Sequence, residues 1–279
     1  MSAPRAFVVG HPVAHSRSPL IHNHWLAQHG LEGSYERVDV PPGELSAFLA
    51  RCRSEGYVGG NVTIPHKEAA FDAAALLAER ARRLRAVNTL WFEDGRLHGD
   101  NTDSLGFIAH LDASLGTGWD RAARRALVLG AGGAARAVAA GLLDRGLDIL
   151  VANRTEARAQ DVAALDPDRA KVLPWTEIES RLEEVDLLVN ATSLGMVGQP
   201  SLSLSLAALP KHAVVADIVY APLLTSLLAE AEERDLRAVD GLGMLLHQAV
   251  PGFERWFGVR PKVTAELRAL IVADLEIRR

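Results

Sequence analysis

The chain has 279 residues, 48% of them apolar, and a formal net charge of −5. That is enough material for two modest domains or one large one, and the acidic balance speaks against nucleic acid or an anionic membrane as the main partner. Cys52 is the single cysteine, which excludes an internal disulfide and a thiolate metal cluster. No signal-peptide pattern opens the chain, and the richest apolar window, 126–143, is interrupted by Arg136 and glycines, so a soluble cytoplasmic protein is expected.

Strand and helix signals then alternate almost from end to end. AFVV (6–9) reads as a short strand. SPLIHNHWLAQHG (18–30) reads as a helix, with Ser18 as N-cap, Pro19 in the first turn and Gly30 as the stop. SYERVDV (34–40) alternates like a strand, GELSAFLARCR (43–53) returns to helix, and YVGGNVTI (57–64) is a third strand region. Residues 66–85 read as an interrupted helix, and NTLWFEDGRLHG (88–99) as a hairpin turning at Asp94-Gly95. A helix follows over 103–116, then a softer stretch over 117–125. A second series comes next: ALVLG, a helix over about 133–145, DILVAN, a helix over about 155–165, KVL, DLLVNA and AVVADIV. Its short, uniformly apolar strands predict burial on both faces, as in a parallel sheet. Helices over roughly 242–256 and 261–277 close the chain. The pattern predicts an α/β protein of two units joined near 103–120, with the last helices packing back on the first.

ALVLGAGGAARAVAAGLL carries G-x-G-x-x-A at Gly130, Gly132 and Ala135, after a strand and at the opening of a helix. In that setting the first glycine permits a tight turn, the second admits a pyrophosphate, and the small third residue lets helix and strand pack closely. The strand that follows ends at Asn153 and runs into Arg154-Thr155-Glu156-Ala157-Arg158. A ribose-binding carboxylate is missing there, and two guanidinium groups suit a 2′-phosphate, so NADP is favoured over NAD. A solvated helix face, with Thr155 as its N-cap, is the alternative reading of the same residues.

Reduction of a ketone needs a proton source beside the hydride donor. Lys67, in GNVTIPHK, can supply the proton, and Asp103, in GDNTDSLGF, can orient the ammonium. Taken singly, a surface lysine at a helix start and an N-capping aspartate are the better readings. Histidines 11, 15, 22, 24 and 29 cluster near the N-terminus, but without cysteines or an H-E-x-x-H pattern they carry no metal reading and are expected in loops and on helix surfaces.

HPVAHSRSPLIHN (11–23), GNVTIPHK (60–67), AVNT (86–89), GDNTDSLGF (99–107), GAGGAARA (130–137), NRT (153–155), NATSLGM (190–196), DIVYAPLLTSLL (217–228) and DGLGMLLHQAVPGFERWFG (240–258) occur in this order. Together, through nearly the whole chain, they resemble the shikimate dehydrogenase family. The first motif departs from the usual family form at Ala14, where a glycine is common, while the two serines keep their spacing.

The resemblance implies two domains: an N-terminal α/β substrate domain, 1–104 plus 243–279, and a Rossmann-type NADP-binding domain, 105–242. It implies NADPH-dependent, reversible reduction of 3-dehydroshikimate to shikimate, in the route to chorismate and the aromatic amino acids. Lys67 and Asp103 are then the catalytic pair. Ser16 and Ser18 meet the substrate carboxylate, Thr63, Asn88 and Gln248 the ring hydroxyls, and Tyr220 lies beside substrate and nicotinamide. Gly130, Ala131, Gly132, Gly133, Ala134, Asn153, Arg154, Thr155, Arg158, Thr192 and Ser193 surround the cofactor, with Ile218, Gly241 and Met244 at its nicotinamide. No metal and no macromolecular partner is implied, and the protein is expected as a monomer or homodimer. Two alternatives are a quinate/shikimate dehydrogenase of broader acid or NAD use and a non-catalytic NADP-binding regulatory module. The presence of both Lys67 and Asp103 weighs against the second.

Overall fold

The computed structural model describes residues 3–277. Packing divides it into two compact units, one running to Thr102 and resuming at Gln248, the other Asp103–His247. No helix among the described residues is long and apolar enough to cross a membrane.

The first unit opens with β1 (Arg5–Gly10), α1 (Ser18–Gln28), β2 (Ser34–Asp39), α2 (Leu45–Cys52) and β3 (Tyr57–Val62). It continues with α3 (Lys67–Ala73), β4 (Leu76–Leu77), α4 (Glu79–Leu84), β5 (Thr89–Glu93) and β6 (Arg96–Asp100). The sheet order is β2-β1-β3-β5-β6-β4. β1 pairs parallel with β2 and β3, while β5 runs antiparallel to both β3 and β6. Phe7 and Val9 of β1 join the core with Phe48 and Leu49 of α2, and Ala6 and Val8 face the other side with Tyr35 and Trp256. That is the period-2 alternation of a strand covered on both faces. The interruption expected within 66–85 is β4, paired parallel with His98 and Gly99 of β6. The hairpin turns at Asp94 and Gly95, both at positive φ (49° and 77°), as a two-residue loop matched to strand twist requires.

Two expectations for α1 are corrected. The preceding residue, Arg17, is helical and forms the N-cap position, and no side chain caps the helix. Ser18 is instead the first helical residue, and it is buried. His22 lies in neither a loop nor a helix surface: it is 0% exposed, stacked 4.0 Å from Tyr35 and ringed by Trp25, Phe253 and Trp256. The cause is that α1 is covered on its outer side as well. The closing helices are α9 (Leu242–Phe257) and α10 (Ala265–Ile277), and α10 docks on α1 through Arg17–Asp274 at 2.8 Å.

The second unit runs α5 (Asp103–Leu115), β7 (Arg125–Leu129), α6 (Gly133–Asp144), β8 (Asp148–Ala152), α7 (Glu156–Ala163) and β9 (Ala170–Val172). Then come β10 (Leu187–Asn190), β11 (Val214–Asp217), α8 (Ser226–Glu233) and β12 (Arg237–Val239). Its sheet is wholly parallel, in the order β12-β11-β10-β7-β8-β9. This is the doubly wound dinucleotide-binding order, with its switch point between β7 and β10. Ala126 and Val128 pack toward α5, α6 and α7, while Leu127 and Leu129 pack toward α8. α8 and β12 were not foreseen: three residues make β12, and the helix is announced only by Thr225, whose hydroxyl accepts from the Leu228 N–H. Thr155 takes the N-cap position of α7, as read, but without a side-chain bond; the turn is tied by Asn153 Nδ2 donating to the Thr155 carbonyl at 2.8 Å.

The unit boundaries fall at 102/103 and 247/248, beside the expected 104/105 and 242/243. α9 contributes its first turns to the second unit and the rest to the first, so one helix carries both Met244 and Gln248.

Candidate active site

In the second unit the strand β7 delivers Gly130 to the switch point. Its φ of +107° is open to glycine, and a Cβ there would sit 2.8 Å from the Ala191 carbonyl. A Cβ on Gly132 or Gly133 would meet nothing within 4 Å. Space is therefore open directly in front of the N-terminus of α6, where main-chain N–H groups and the helix dipole favour a phosphate. The turn lines a pocket of about 230 Å³ with Ala131, Asn153, Arg154, Ala191, Thr192, Ser193, Leu194 and Trp175. Arg154 and Arg158 are exposed, and neither guanidinium makes a hydrogen bond or ion pair among the described residues. An open glycine turn beside two uncompensated cations fits a dinucleotide with an extra phosphate. Trp175 was absent from the sequence reading, since a lone aromatic in a short 3₁₀ turn gives no signal of a pocket wall.

A second group in the same unit gathers Ile218, Gly241 and Met244. Gly241 N–H donates to the Val219 carbonyl at 3.3 Å. A Cβ on Gly241 would lie 2.3 Å from the Ile218 carbonyl, and Met244 is buried in the core that Ile218 packs against. The loops holding Thr192 and Tyr220 are tied at their roots. Asn190 and Asp217 are register partners at the ends of β10 and β11, and Asn190 Nδ2 donates to Asp217 Oδ1 at 3.0 Å. Asn190 Oδ1 accepts from the Thr192 hydroxyl at 2.7 Å, and Asp217 accepts from the Val219 N–H at 2.9 Å and the Thr225 hydroxyl at 2.8 Å. Burial pushes the Asp217 carboxyl above its ordinary range despite these donors. The signal that would have found this lock is a polar residue closing each of two apolar strands, NA at 190 and DI at 217.

The first unit collects the other group. Arg37 donates to the Ser16 carbonyl at 2.6 and 2.9 Å, and Ser16 Oγ accepts from the Ser18 N–H at 3.3 Å. The loop before them is held by Asp39, which accepts from the Val13 N–H at 3.0 Å and pairs with His11 at 2.9 Å. The Thr63 N–H bonds the Val9 carbonyl at 2.9 Å, and buried His66 bonds the Val40 carbonyl at 2.6 Å, which fixes the start of α3 where Lys67 is the first residue. The Lys67 carbonyl accepts from Val87 at 2.9 Å, one residue before Asn88.

Asn88 is the hub. Its Oδ1 accepts from the Thr102 N–H at 2.8 Å and the Thr89 hydroxyl at 2.9 Å, and its Nδ2 donates to Gln248 Oε1 at 3.3 Å. The Thr102 hydroxyl donates to the Gln248 carbonyl at 2.9 Å. Behind them Tyr35 donates to Asn61 Oδ1 at 2.6 Å, and Asn61 Nδ2 donates to the Asn88 carbonyl at 3.1 Å. Asn88 and Gln248, far apart in sequence, thus meet in one buried polar chain that ends at Thr102, the residue before Asp103. Asn61, Tyr35, Thr89 and Thr102 were not anticipated in it.

A parallel nucleotide-type sheet with an open glycine turn, joined to a second α/β unit lined by amides and hydroxyls, defines a dinucleotide-binding enzyme of the two-domain oxidoreductase class. Family models match residues 8–90 as a shikimate dehydrogenase substrate binding domain, 115–242 as shikimate / quinate 5-dehydrogenase and 241–270 as a shikimate 5′-dehydrogenase C-terminal domain. The chain belongs to the shikimate dehydrogenase family. It is 64% identical over 278 residues to a shikimate dehydrogenase (NADP(+)) of Methylobacterium radiotolerans, covering 99% of each chain. A protein of the same description from Methylocella silvestris is 58% identical over 275 residues, covering 99% of this chain and 98% of its own. Among solved structures, the Thermus thermophilus shikimate 5-dehydrogenase in complex with NADP(H) and shikimate aligns with a TM-score of 0.87 and 39% identity, over 98% of this chain and 100% of its own. The Corynebacterium glutamicum quinate dehydrogenase in complex with NAD aligns with a TM-score of 0.90 and 28% identity, over 98% and 100%.

Proposed function

We propose that the chain catalyses the NADPH-dependent, reversible reduction of 3-dehydroshikimate to shikimate, a step toward chorismate and the aromatic amino acids. The observation that carries this reading is the likeness over 99% of both chains, at 64% identity, to a protein described as shikimate dehydrogenase (NADP(+)).

The cofactor, when bound, supplies a hydride to the ketone carbon. Gly130, Ala131, Gly132, Gly133 and Ala134 receive its pyrophosphate at the start of α6, and Asn153, Arg154, Thr155 and Arg158 take the adenosine with its 2′-phosphate. Thr192 and Ser193 border the same pocket, while Ile218, Gly241 and Met244 shape the nicotinamide end. In the first unit Ser16 and Ser18 receive the substrate carboxylate. Thr63, Asn88 and Gln248 hold its hydroxyls, and Tyr220 borders the ring. Lys67 gives a proton to the oxygen as the ketone becomes an alcohol, and takes it back in the reverse direction. Asp103 orients that ammonium. A site of fixed amides and hydroxyls discriminates well, because an analogue lacking one hydroxyl leaves a buried polar group unpaired. The same reading places the protein in the cytoplasm as a monomer or homodimer.

Turnover of shikimate with NADP⁺, followed by the absorbance of NADPH, tests the assignment, with quinate and NAD⁺ as controls. We expect shikimate with NADP⁺ to give the highest kcat/KM. Equal or better turnover of quinate would move the chain to the quinate-type reading, which the fold alone accommodates. Absence of turnover with either acid would overturn the assignment.

A further inference from the structure

The turn at 240–244 is held from a side that the assigned site does not include. Asp240 ends the segment after β12 and holds the start of α9, its Oδ1 accepting from the Leu242 N–H at 2.9 Å. On one flank the turn lies against main chain: a Cβ on Gly241 would sit 2.3 Å from the Ile218 carbonyl. On the other flank lies an imidazole. His110 Nε2 stands 2.8 Å from the Asp240 carbonyl, and a Cβ on Gly243 would fall 1.9 Å from His110 Nδ1 and 2.1 Å from Cε1. The ring therefore rests directly on the Gly243 main chain, and no larger residue fits at 243 while His110 is there.

The chemistry of the contact fixes the ring. A carbonyl only accepts, so Nε2 carries the hydrogen. Nδ1 faces the Ser114 hydroxyl at 3.3 Å, one turn along α5. His110 is buried, at 8% exposure, so its bond to Asp240 is shielded from competing water. α5 itself is seated closely on α6: a Cβ on Gly141 would lie 2.9 Å from Ile108. Asp103 and His110 are seven residues apart on α5, hence on the same face and about 10 Å apart along its axis.

We propose that His110 is a positioning residue for hydride transfer. Its imidazole clamps the Asp240–Met244 turn so that Gly241 and Met244 hold the nicotinamide in register, on the helix whose first residue is Asp103. The inference rests on the reading above that Gly241 and Met244 meet the nicotinamide. It adds to that reading a residue that touches neither substrate nor cofactor and works through a main-chain carbonyl.

The test compares wild type, His110→Leu and His110→Gln in turnover of shikimate with NADP⁺. It also measures the isotope effect with shikimate deuterated at the reacting carbon, binding of 2′,5′-ADP, and the thermal midpoint. Leucine fills the space without an N–H, whereas glutamine can donate to the Asp240 carbonyl. We expect His110→Leu to lower kcat roughly 10- to 100-fold, as a small misplacement of reacting groups does. Its isotope effect should rise, while the affinity for 2′,5′-ADP, which reports only the adenosine end, stays within about twofold. His110→Gln should recover most of kcat. Should His110→Leu fail to fold, Gln and Asn carry the test: glutamine places its N–H near Nε2 and asparagine near Nδ1, so glutamine should exceed asparagine about tenfold in kcat. Wild-type kcat and isotope effect in His110→Leu, equal losses in the Gln and Asn variants, or losses that track the thermal midpoint and 2′,5′-ADP affinity together would overturn the clamp while leaving the reaction standing. A wild-type protein inert toward shikimate and NADP⁺ would overturn the reaction and the clamp with it.

Discussion

In the Asp103–His247 unit the surface proposed for the cofactor is largely main chain: a glycine at positive φ, two more glycines with open space before a helix N-terminus, and two exposed arginines at a strand end. In the unit that pauses at Thr102 the proposed substrate residues Asn88 and Gln248 are held by side chains instead: with Thr89, Asn61, Tyr35 and Thr102 they form one buried hydrogen-bonded chain. The first surface needs a backbone path and charge, both of which tolerate motion of individual side chains. The second needs every amide turned the right way, because an unsatisfied buried group costs about 1–3 kcal/mol. On the proposed reading, recognition of a phosphate and recognition of a ring of hydroxyls call for different construction, one in each unit.

The largest expected effect breaks the comparison on the cofactor side. Replacing Arg154 and Arg158 together by Ala should raise KM for NADP⁺ by roughly 100-fold, the loss of charge-assisted bonds to one phosphate, while KM for NAD⁺ moves less than about threefold. Steady-state kinetics with each nucleotide measures this. Parallel rises for both would mean that the arginines do not read the 2′-phosphate.

The next effect is on the side-chain-built unit. His22 is buried without a hydrogen bond of normal geometry to either ring nitrogen, and burial holds it down to about 3, below its ordinary 6.5. The unfolded chain therefore binds the extra proton first as pH falls through 6.5. Stability present above that pH is lost progressively from about 6.5 toward about 3. Between pH 7 and pH 5 the loss from this group is about 2 kcal/mol. Urea unfolding at both pH values should show that decline in the wild type and a flatter profile in His22→Leu. An unchanged pH slope in the variant would show that other groups set it.

The smallest effect separates two threonines that look alike in sequence, each before a helix. Thr225 caps α8 and donates to Asp217, whereas Thr155 makes no capping bond. Thr225→Ala should cost about 1–2 kcal/mol of unfolding free energy and Thr155→Ala less than about 0.5 kcal/mol. Comparable costs would contradict the distinction.

These contrasts also mark what could be read before the structure. The glycine turn, the parallel strands around it and the arginines were legible because their information is local: residue type at fixed spacing after an apolar run. The motif order singled out Lys67, Asn88 and Gln248 as candidates, but no local rule showed that Asn88 and Gln248 share a hydrogen bond across 160 residues. Ser18 was misread as a cap because capping is the local preference of serine, whereas the helix begins one residue earlier, with Arg17 at the N-cap position. His22 was misplaced on a surface because its side of α1 is covered by Phe253 and Trp256, which arrive from the far end of the chain. β12 escaped because three residues carry too little periodicity.

The account depends most on a proton moving through Lys67. The direct measurement is kcat of Lys67→Ala with shikimate and NADP⁺, alongside circular dichroism to establish that the variant is folded. The account predicts a fall of about 10²- to 10⁴-fold with KM for NADP⁺ nearly unchanged. A folded variant that retains kcat within about threefold of wild type would contradict it, because general acid catalysis contributes far more than that.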